Sequence, residues 1–182
     1  MNGLSTNEKV LGEERRQLII KALQAATSPI SGTKLGDMMN VSRQVIVGDV
    51  TLLKALGEPI IATSRGYIYM HAQDENNKIE SVIVCNHAAH ETETELNIFV
   101  DHGVTVKDVK VEHPLYGDLT ASVMVANRTE VKRFIEHIRQ TNASLLLELT
   151  EGVHLHTVSA NSAEQIEEAK KELKKAGILV SE

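Results

Sequence analysis

Between Ser42 and Gly57 the apolar residues recur three and four apart, and Ile46, Val50 and Leu53, flanked by Asp49 and Leu56, predict one face of a helix. Ser42 can cap its start through the hydroxyl, and Gly57 can end it in a left-handed conformation. The opposite side carries Arg43, Gln44, Val47, Gly48, Thr51 and Lys54, which are mostly hydrogen-bonding or cationic groups with one position lacking a side chain. A helix lying in a DNA major groove needs such a surface. Arginine and glutamine near its N-terminus can reach base edges in bidentate fashion, and the N-terminus itself can meet a phosphate. Upstream, Leu18, Ile19, Ala22, Leu23 and Ala26 predict an apolar stripe on a helix over residues 13–26, broken by Ser28-Pro29. Ser31 caps a short helix over residues 33–39 with Leu35, Met38 and Met39 turned inward, and Asn40-Val41-Ser42 makes the tight turn that follows. Three helices with such a turn before the third are a helix-turn-helix.

After Gly57 the period changes to two. Residues 60–63 and 67–70 predict short strands joined by Ser64-Arg65-Gly66, with glycine where positive φ is needed. This is a wing, and Arg65 at its tip is placed either to enter a minor groove or pair with phosphate, or to sit solvated in the turn. The first eleven residues carry no periodicity and predict a disordered or loosely docked arm, while residues 71–78 are polar and predict a connection. The organisation expected is a DNA-binding domain over residues 1–72, a linker over 73–78 and a second domain over 79–182.

The second domain mixes strands and helices. Strands are predicted over residues 79–86, 104–113, 118–126 and 178–180, with a further pair around 145–149 and 153–158. Helices are predicted over 88–101, 129–140 and 163–174, the second carrying Val131, Phe134, Ile135 and Ile138 on one face. An α+β domain follows, an antiparallel sheet with helices on one face to bury these stripes.

Charge sharpens the picture. The formal net charge is −6, but up to Ala72 eight Lys or Arg stand against six Asp or Glu, a net of +2 that leaves −8 for the rest. An acidic body with a mildly basic head fits a regulator that meets DNA through one small surface, and argues against a protein that coats nucleic acid. A single cysteine, Cys85, excludes an internal disulfide and reads as an ordinary buried strand residue. No apolar run reaches membrane-spanning length and residues 1–9 lack the order of a secretory signal, so a cytoplasmic protein without membrane contact is expected.

The histidines are unevenly placed. His154 and His156 are two apart on a predicted strand and leave the same face, which suits adjacent positions around one metal ion as well as an exposed pair. His87 stands at a strand-to-helix junction, with Glu91 and Glu95 one turn apart on the helix that follows. Imidazoles with one carboxylate make a site for zinc, nickel, iron, cobalt or manganese rather than calcium or magnesium. His113 before Pro114 reads as a residue packing a turn, and His90, His102 and His137 as surface residues.

Taken together, several stretches resemble one family, the 3H-domain transcriptional repressors that respond to nicotinate and control NAD-precursor uptake and synthesis. They are Ser42-Arg43-Gln44-Val45-Ile46-Val47, Ala62-Thr63-Ser64-Arg65-Gly66-Tyr67, His87 followed by Glu95, Val111-Glu112-His113-Pro114 with Tyr116-Gly117, and Glu151-Gly152-Val153-His154-Leu155-His156-Thr157. The resemblance implies a homodimer with a winged helix-turn-helix in front and an HPr-like α+β 3H domain behind. It implies one transition-metal ion per chain held by His87, Glu95, His154 and His156, and places His87, His113, His154 and His156 around the nicotinate effector. Ala88-Ala89-His90-Glu91 departs from the family's pattern and leaves the participation of His90 or Glu91 open. DNA contacts are expected from Ser42, Arg43, Gln44, Thr51, Lys54 and Arg65 toward a double-stranded operator. The function expected is a non-enzymatic, nicotinate-responsive, metal-containing repressor. The alternatives are a metal-dependent enzyme acting on a pyridine carboxylate with an autoregulatory DNA-binding head, and a repressor that senses the metal itself.

Overall fold

The computed structural model describes residues 12–70 and 78–180. The expected N-terminal arm, and all of the expected connection except Lys78, lie outside the described residues. The chain divides into two compact units, the first ending at Asp74 and the second beginning at Glu75.

The first unit packs α1 (Gly12–Gln24), α2 (Gly32–Met39) and α3 (Arg43–Ala55) with a hairpin of β1 (Ile60–Thr63) and β2 (Gly66–Tyr69). Ser31 and Ser42 cap α2 and α3, each hydroxyl accepting from the backbone N–H three residues on, at 3.1 and 3.4 Å. Asn40 ends α2 in a left-handed conformation and turns the chain into α3. The hairpin is a wing with a third short partner, because Ile30 and Tyr67 exchange both backbone hydrogen bonds at 3.0 and 2.9 Å. Gly66 permits this approach: its φ is +131°, and a Cβ there would lie 2.3 Å from the Ile30 carbonyl oxygen.

The core of this unit is Ile19, Leu23, Leu35, Met39, Ile46, Val50, Leu53 and Ile60. Three expected core residues are instead exposed: Leu18 at 37 %, Met38 at 54 % and Leu56 at 71 %. The inward line of α1 is Arg15, Ile19 and Leu23, spaced by four, so Leu18 falls to its edge. Arg15 is buried because its guanidinium grips Asp49 on the inner face of α3, Nε to Oδ2 at 2.6 Å and Nη2 to Oδ1 at 3.3 Å. Arg16 approaches the same carboxylate at 3.5 Å.

The second unit is one antiparallel sheet of β3 (Ile79–Asn86), β4 (Thr105–His113), β5 (Gly117–Val125) and β6 (Val153–Ala160), ordered β3-β6-β4-β5. Helices α4 (Thr92–Asp101), α5 (Arg128–Thr141) and α6 (Ala163–Lys175) pack with it. Ile83, Cys85, Val106, Val123, Val125 and Val158 on the strands, and Leu96, Phe99, Val131, Ile135, Ile166 and Leu173 on the helices, build the core.

Three expected elements differ. The stretch around residues 145–149 is a 3-10 turn, Leu146–Thr150, and pairs with no strand. β6 already has β3 on one edge and β4 on the other, so no edge is left for it, and Leu147 plugs the core instead. Residues 178–180 make a single bridge, Cys85 with Leu179, beside the end of β3. The helix expected from residue 88 begins as a 3-10 turn, Ala89–Glu91, before α4 starts at Thr92.

Removing one side of the buried Arg15–Asp49 pair strands a charge. Asp49→Ala is expected to cost about 3–5 kcal/mol of stability, read from urea unfolding of the full chain. A loss below about 1 kcal/mol would show that water reaches the guanidinium and that the pair does not hold α1 to α3.

Candidate functional sites

On α3, burying Ile46, Asp49, Val50 and Leu53 leaves Ser42, Arg43, Gln44, Gly48, Thr51 and Lys54 on the exposed side. Two of the expected contact residues are less free than the sequence suggests. The Thr51 hydroxyl donates to the Val47 carbonyl at 2.8 Å. Arg65 is half-buried in the wing turn, where its backbone N–H donates to Thr63 Oγ1 at 3.2 Å.

In the second unit, the end of β3, the first turn of α4 and the start of β6 bring four side chains to one buried point. Register sets this up, since Cys85 pairs with His154 and Ile83 with His156, so both β6 histidines face the helices among core residues. Glu95, on the inner face of α4, is 1 % exposed, as is His154; His156 is 3 % and His87 7 %. The Nε2 atoms of His87, His154 and His156 lie 2.9, 3.1 and 3.3 Å from the Glu95 carboxylate oxygens.

The far side of each ring decides what these nitrogens are. His87 Nδ1 faces the Ala88 carbonyl oxygen at 2.9 Å, His154 Nδ1 that of Gly152 at 2.8 Å and His156 Nδ1 that of Asp108 at 2.6 Å. A carbonyl oxygen only accepts, so each Nδ1 carries the proton and each neutral Nε2 presents a bare lone pair. While all three rings are neutral, three lone pairs and the carboxylate converge with no proton between them; a protonated ring instead turns an N–H toward Glu95. His87 Nε2, His156 Nε2 and Glu95 Oε2 are buried without a hydrogen-bond partner. Such a donor set is satisfied by a cation. The nitrogen–carboxylate separations run to both oxygens, Oε2 for His87 and His156 and Oε1 for His154, and imidazole nitrogens with a carboxylate are the donor types of a transition ion rather than calcium or magnesium.

The backbone around the cluster is shaped for this. Gly152, at φ +102°, gives its carbonyl to His154, and a Cβ on it would lie 2.6 Å from the His87 carbonyl oxygen. The ladder between β4 and β6 is irregular between Val106 and Lys110, and there Asp108 turns its carbonyl to His156 while its Oδ1 accepts from Thr157 N at 3.0 Å. These outer partners leave no sequence signal except the glycine. Cys85 has a sulfur within 4.8 Å of Glu95 and His154 donor atoms. Burial, then the Glu95 charge, pushes this thiol far above its ordinary range.

Other expected residues are elsewhere. His113 is at the β4–β5 hairpin, not in the cluster; its Nδ1 accepts from the Leu115 and Tyr116 N–H groups at 3.2 and 3.3 Å, which makes it a cap of the turn. Glu91 does not share a face with Glu95, because the 3-10 turn intervenes and its Oε2 accepts from Ala88 N at 3.0 Å. His90 and His137 are exposed, whereas His102 is half-buried, with Nδ1 at 2.8 Å from the Ile98 carbonyl oxygen.

Residues 80–182 match the family model described as 3H domain, and residues 15–68 match one described as HTH domain. The chain belongs to the 3H-domain family of transcription repressors. It is 50 % identical over 175 residues to the transcription repressor NadR of Bacillus subtilis (strain 168), covering 96 % of this chain and 97 % of the relative. It is 37 % identical over 174 residues to the probable transcription repressor NiaR of Thermotoga maritima, covering 96 % and 98 %. Membership agrees with the expectation of a DNA-binding regulator rather than an enzyme. Among the described residues, no helix of this 3H-domain protein is long and apolar enough to cross a membrane.

Burial pulls His87 and His156 toward the neutral form, but Glu95 outweighs it and both are raised above 6.5. Burial pushes Glu95 up, and His156, His154 and His87 together bring it well below 4.5. The charged rings thus stabilise the fold below pH 6.5, a contribution lost as pH rises through their raised values. The carboxylate's contribution is present above pH 4.5 and is lost as pH falls through its depressed value. Ligation requires neutral rings, so protons compete. The affinity for Ni2+, measured by calorimetry, is expected to rise at least tenfold between about pH 6 and 8, and a flat profile would contradict this protonation scheme.

Proposed function

We propose that this protein is a nicotinate-responsive, metal-containing repressor of genes for niacin uptake and NAD-precursor synthesis, acting in the cytoplasm as a homodimer on a pseudo-palindromic operator. The observation that carries the metal part of this reading is the set of three Nδ1–carbonyl hydrogen bonds, which turn three buried lone pairs onto Glu95. His87, Glu95, His154 and His156 would hold the ion, which supplies an electrophilic centre for the carboxylate or ring nitrogen of a pyridine carboxylate. Arg43 and Gln44, exposed in the first turn of α3, would read base edges, and Ser42, Thr51, Lys54 and Arg65 would fix the protein on the backbone. A coupling of about 1–3 kcal/mol between effector and DNA is enough to move operator occupancy.

The number of protein donors favours a second reading. Four donors already complete a tetrahedral shell, as in closed structural sites, which suits a protein that senses the ion itself. An ion that takes five or six ligands leaves room for an effector on the same four residues. Gel shifts on NAD-precursor promoters, with nicotinate varied at fixed Ni2+ and then Ni2+ varied without nicotinate, separate the two. Tighter operator binding with nicotinate at constant metal is expected; a response to metal alone would replace the effector reading with metal sensing.

Two sets of variants test the sites. His154→Ala and His156→Ala are expected to lose metal occupancy and nicotinate affinity together, measured by mass spectrometry and calorimetry on the same samples. Full occupancy with normal affinity in both would remove the site. Arg43→Ala or Gln44→Ala is expected to cost about 1–3 kcal/mol at the operator and relax sequence preference, whereas Lys54→Ala should weaken binding uniformly and flatten its salt dependence. Unchanged operator selectivity in the first pair would take α3 out of the groove.

A further inference from the structure

The one cysteine of this chain, Cys85, stands against the cluster. It pairs in register with His154 across β3 and β6, so the two side chains leave the sheet on the same face, side by side. Cys85 Sγ, a Glu95 carboxylate oxygen and a His154 ring nitrogen all lie within 4.8 Å of one another. Cys85 is fully buried, and Glu95 and His154 nearly so. Donor atoms that share one zinc-class ion stand about 3–4 Å apart, so small side-chain rotations bring this trio onto a single centre.

A second observation shows that the trio faces a place for a ligand. Glu95 Oε2 is buried with no hydrogen-bond partner, and so are the Nε2 atoms of His87 and His156 next to that oxygen. Packing does not ask for sulfur here. Strand residues that line the same core include Ile83, Val106, Val123, Val125 and Val158, and for filling space a free cysteine behaves only as a small hydrophobe.

Charge gives the thiol its use. A dication among Glu95 and three neutral imidazoles leaves one positive charge buried, and an uncompensated buried charge is costly. Of the side chains gathered at the centre, Cys85 is the only other one that can become an anion. A thiolate alone beside Glu95 is disfavoured, but next to a dication the balance reverses, and a coordinating thiol gives up its proton. The S–H bond breaks, the proton leaves to solvent, and the sulfur keeps the electron pair that it donates to the ion. We infer that Cys85 is a ligand of this centre for thiophilic ions, completing with Glu95 and His154 a second donor set that overlaps the histidine-rich one. The imidazoles suit nickel, whereas softer ions such as cadmium gain from the sulfur. This rests on the metal-site reading proposed above and adds a donor that the resemblance to the family did not include.

The test uses the full-length protein, freed of metal with a chelator and kept reduced, and titrates it with Cd2+ and with Ni2+ by calorimetry while ultraviolet absorption is followed. Wild type is expected to develop a thiolate-to-cadmium charge-transfer band in step with the Cd2+ bound. The chain has no second cysteine to produce that band and no tryptophan to mask it. Cys85→Ala is expected to lose the band and bind Cd2+ at least tenfold more weakly, with Ni2+ affinity within about threefold of wild type. If wild type binds Cd2+ without the band, or Cys85→Ala keeps wild-type Cd2+ affinity, the assignment of Cys85 is overturned while the histidine centre stands. Should Cys85→Ala fail to fold, the wild-type band alone decides, since Cys85 is its single source. No binding of either ion by wild type ends the metal-site reading and this assignment with it.

Discussion

Everything in the second unit turns on how a buried carboxylate is kept charged. Glu95 has almost no contact with water, and an isolated ion there would cost many kcal/mol. The compensation comes from three imidazoles whose outer nitrogens are each committed to a main-chain carbonyl. Without those commitments a ring could present N–H to Glu95 and settle the charge as an ordinary hydrogen bond. With them the neutral cluster is short of positive charge, and only extra protons or a cation supply it. Fold and chemistry are thus one constraint: the β3–β6 register that buries Ile83 and Val158 also points His154 and His156 at the carboxylate.

Much of this was legible in the sequence. The period of Ile46, Val50 and Leu53 placed α3 and so its exposed face, and the spacing of His154 and His156 put both on one side of a strand. Local patterns reached less far where a neighbour decides the outcome. Leu18 looks like a core residue beside Ile19 until Arg15, held by Asp49, takes the inward position. Leu145 to Leu149 has strand-like apolar content, but whether a strand forms depends on a free sheet edge, and both edges of β6 are occupied.

The site shows the same division. Two of the clustered side chains were readable together because His154 and His156 stand two apart on a strand and so share a face. The resemblance to a family joined His87 and Glu95 to the β6 pair, which spacing alone could not do. It also drew in His113, which caps a hairpin in this chain.

The three carbonyls behind the histidines have a consequence for how such a protein can drift. Every residue contributes a carbonyl, so Ala88 and Asp108 can be exchanged for other amino acids without deleting the acceptor they supply. Gly152 is the exception, because any side chain there would press on the His87 carbonyl and the Asn86 side chain. The orientation of the three imidazoles is thus written mainly in backbone shape, out of reach of most single-codon changes. Two descendants could differ at nearly every position around the centre and still aim the same three nitrogens at the same point.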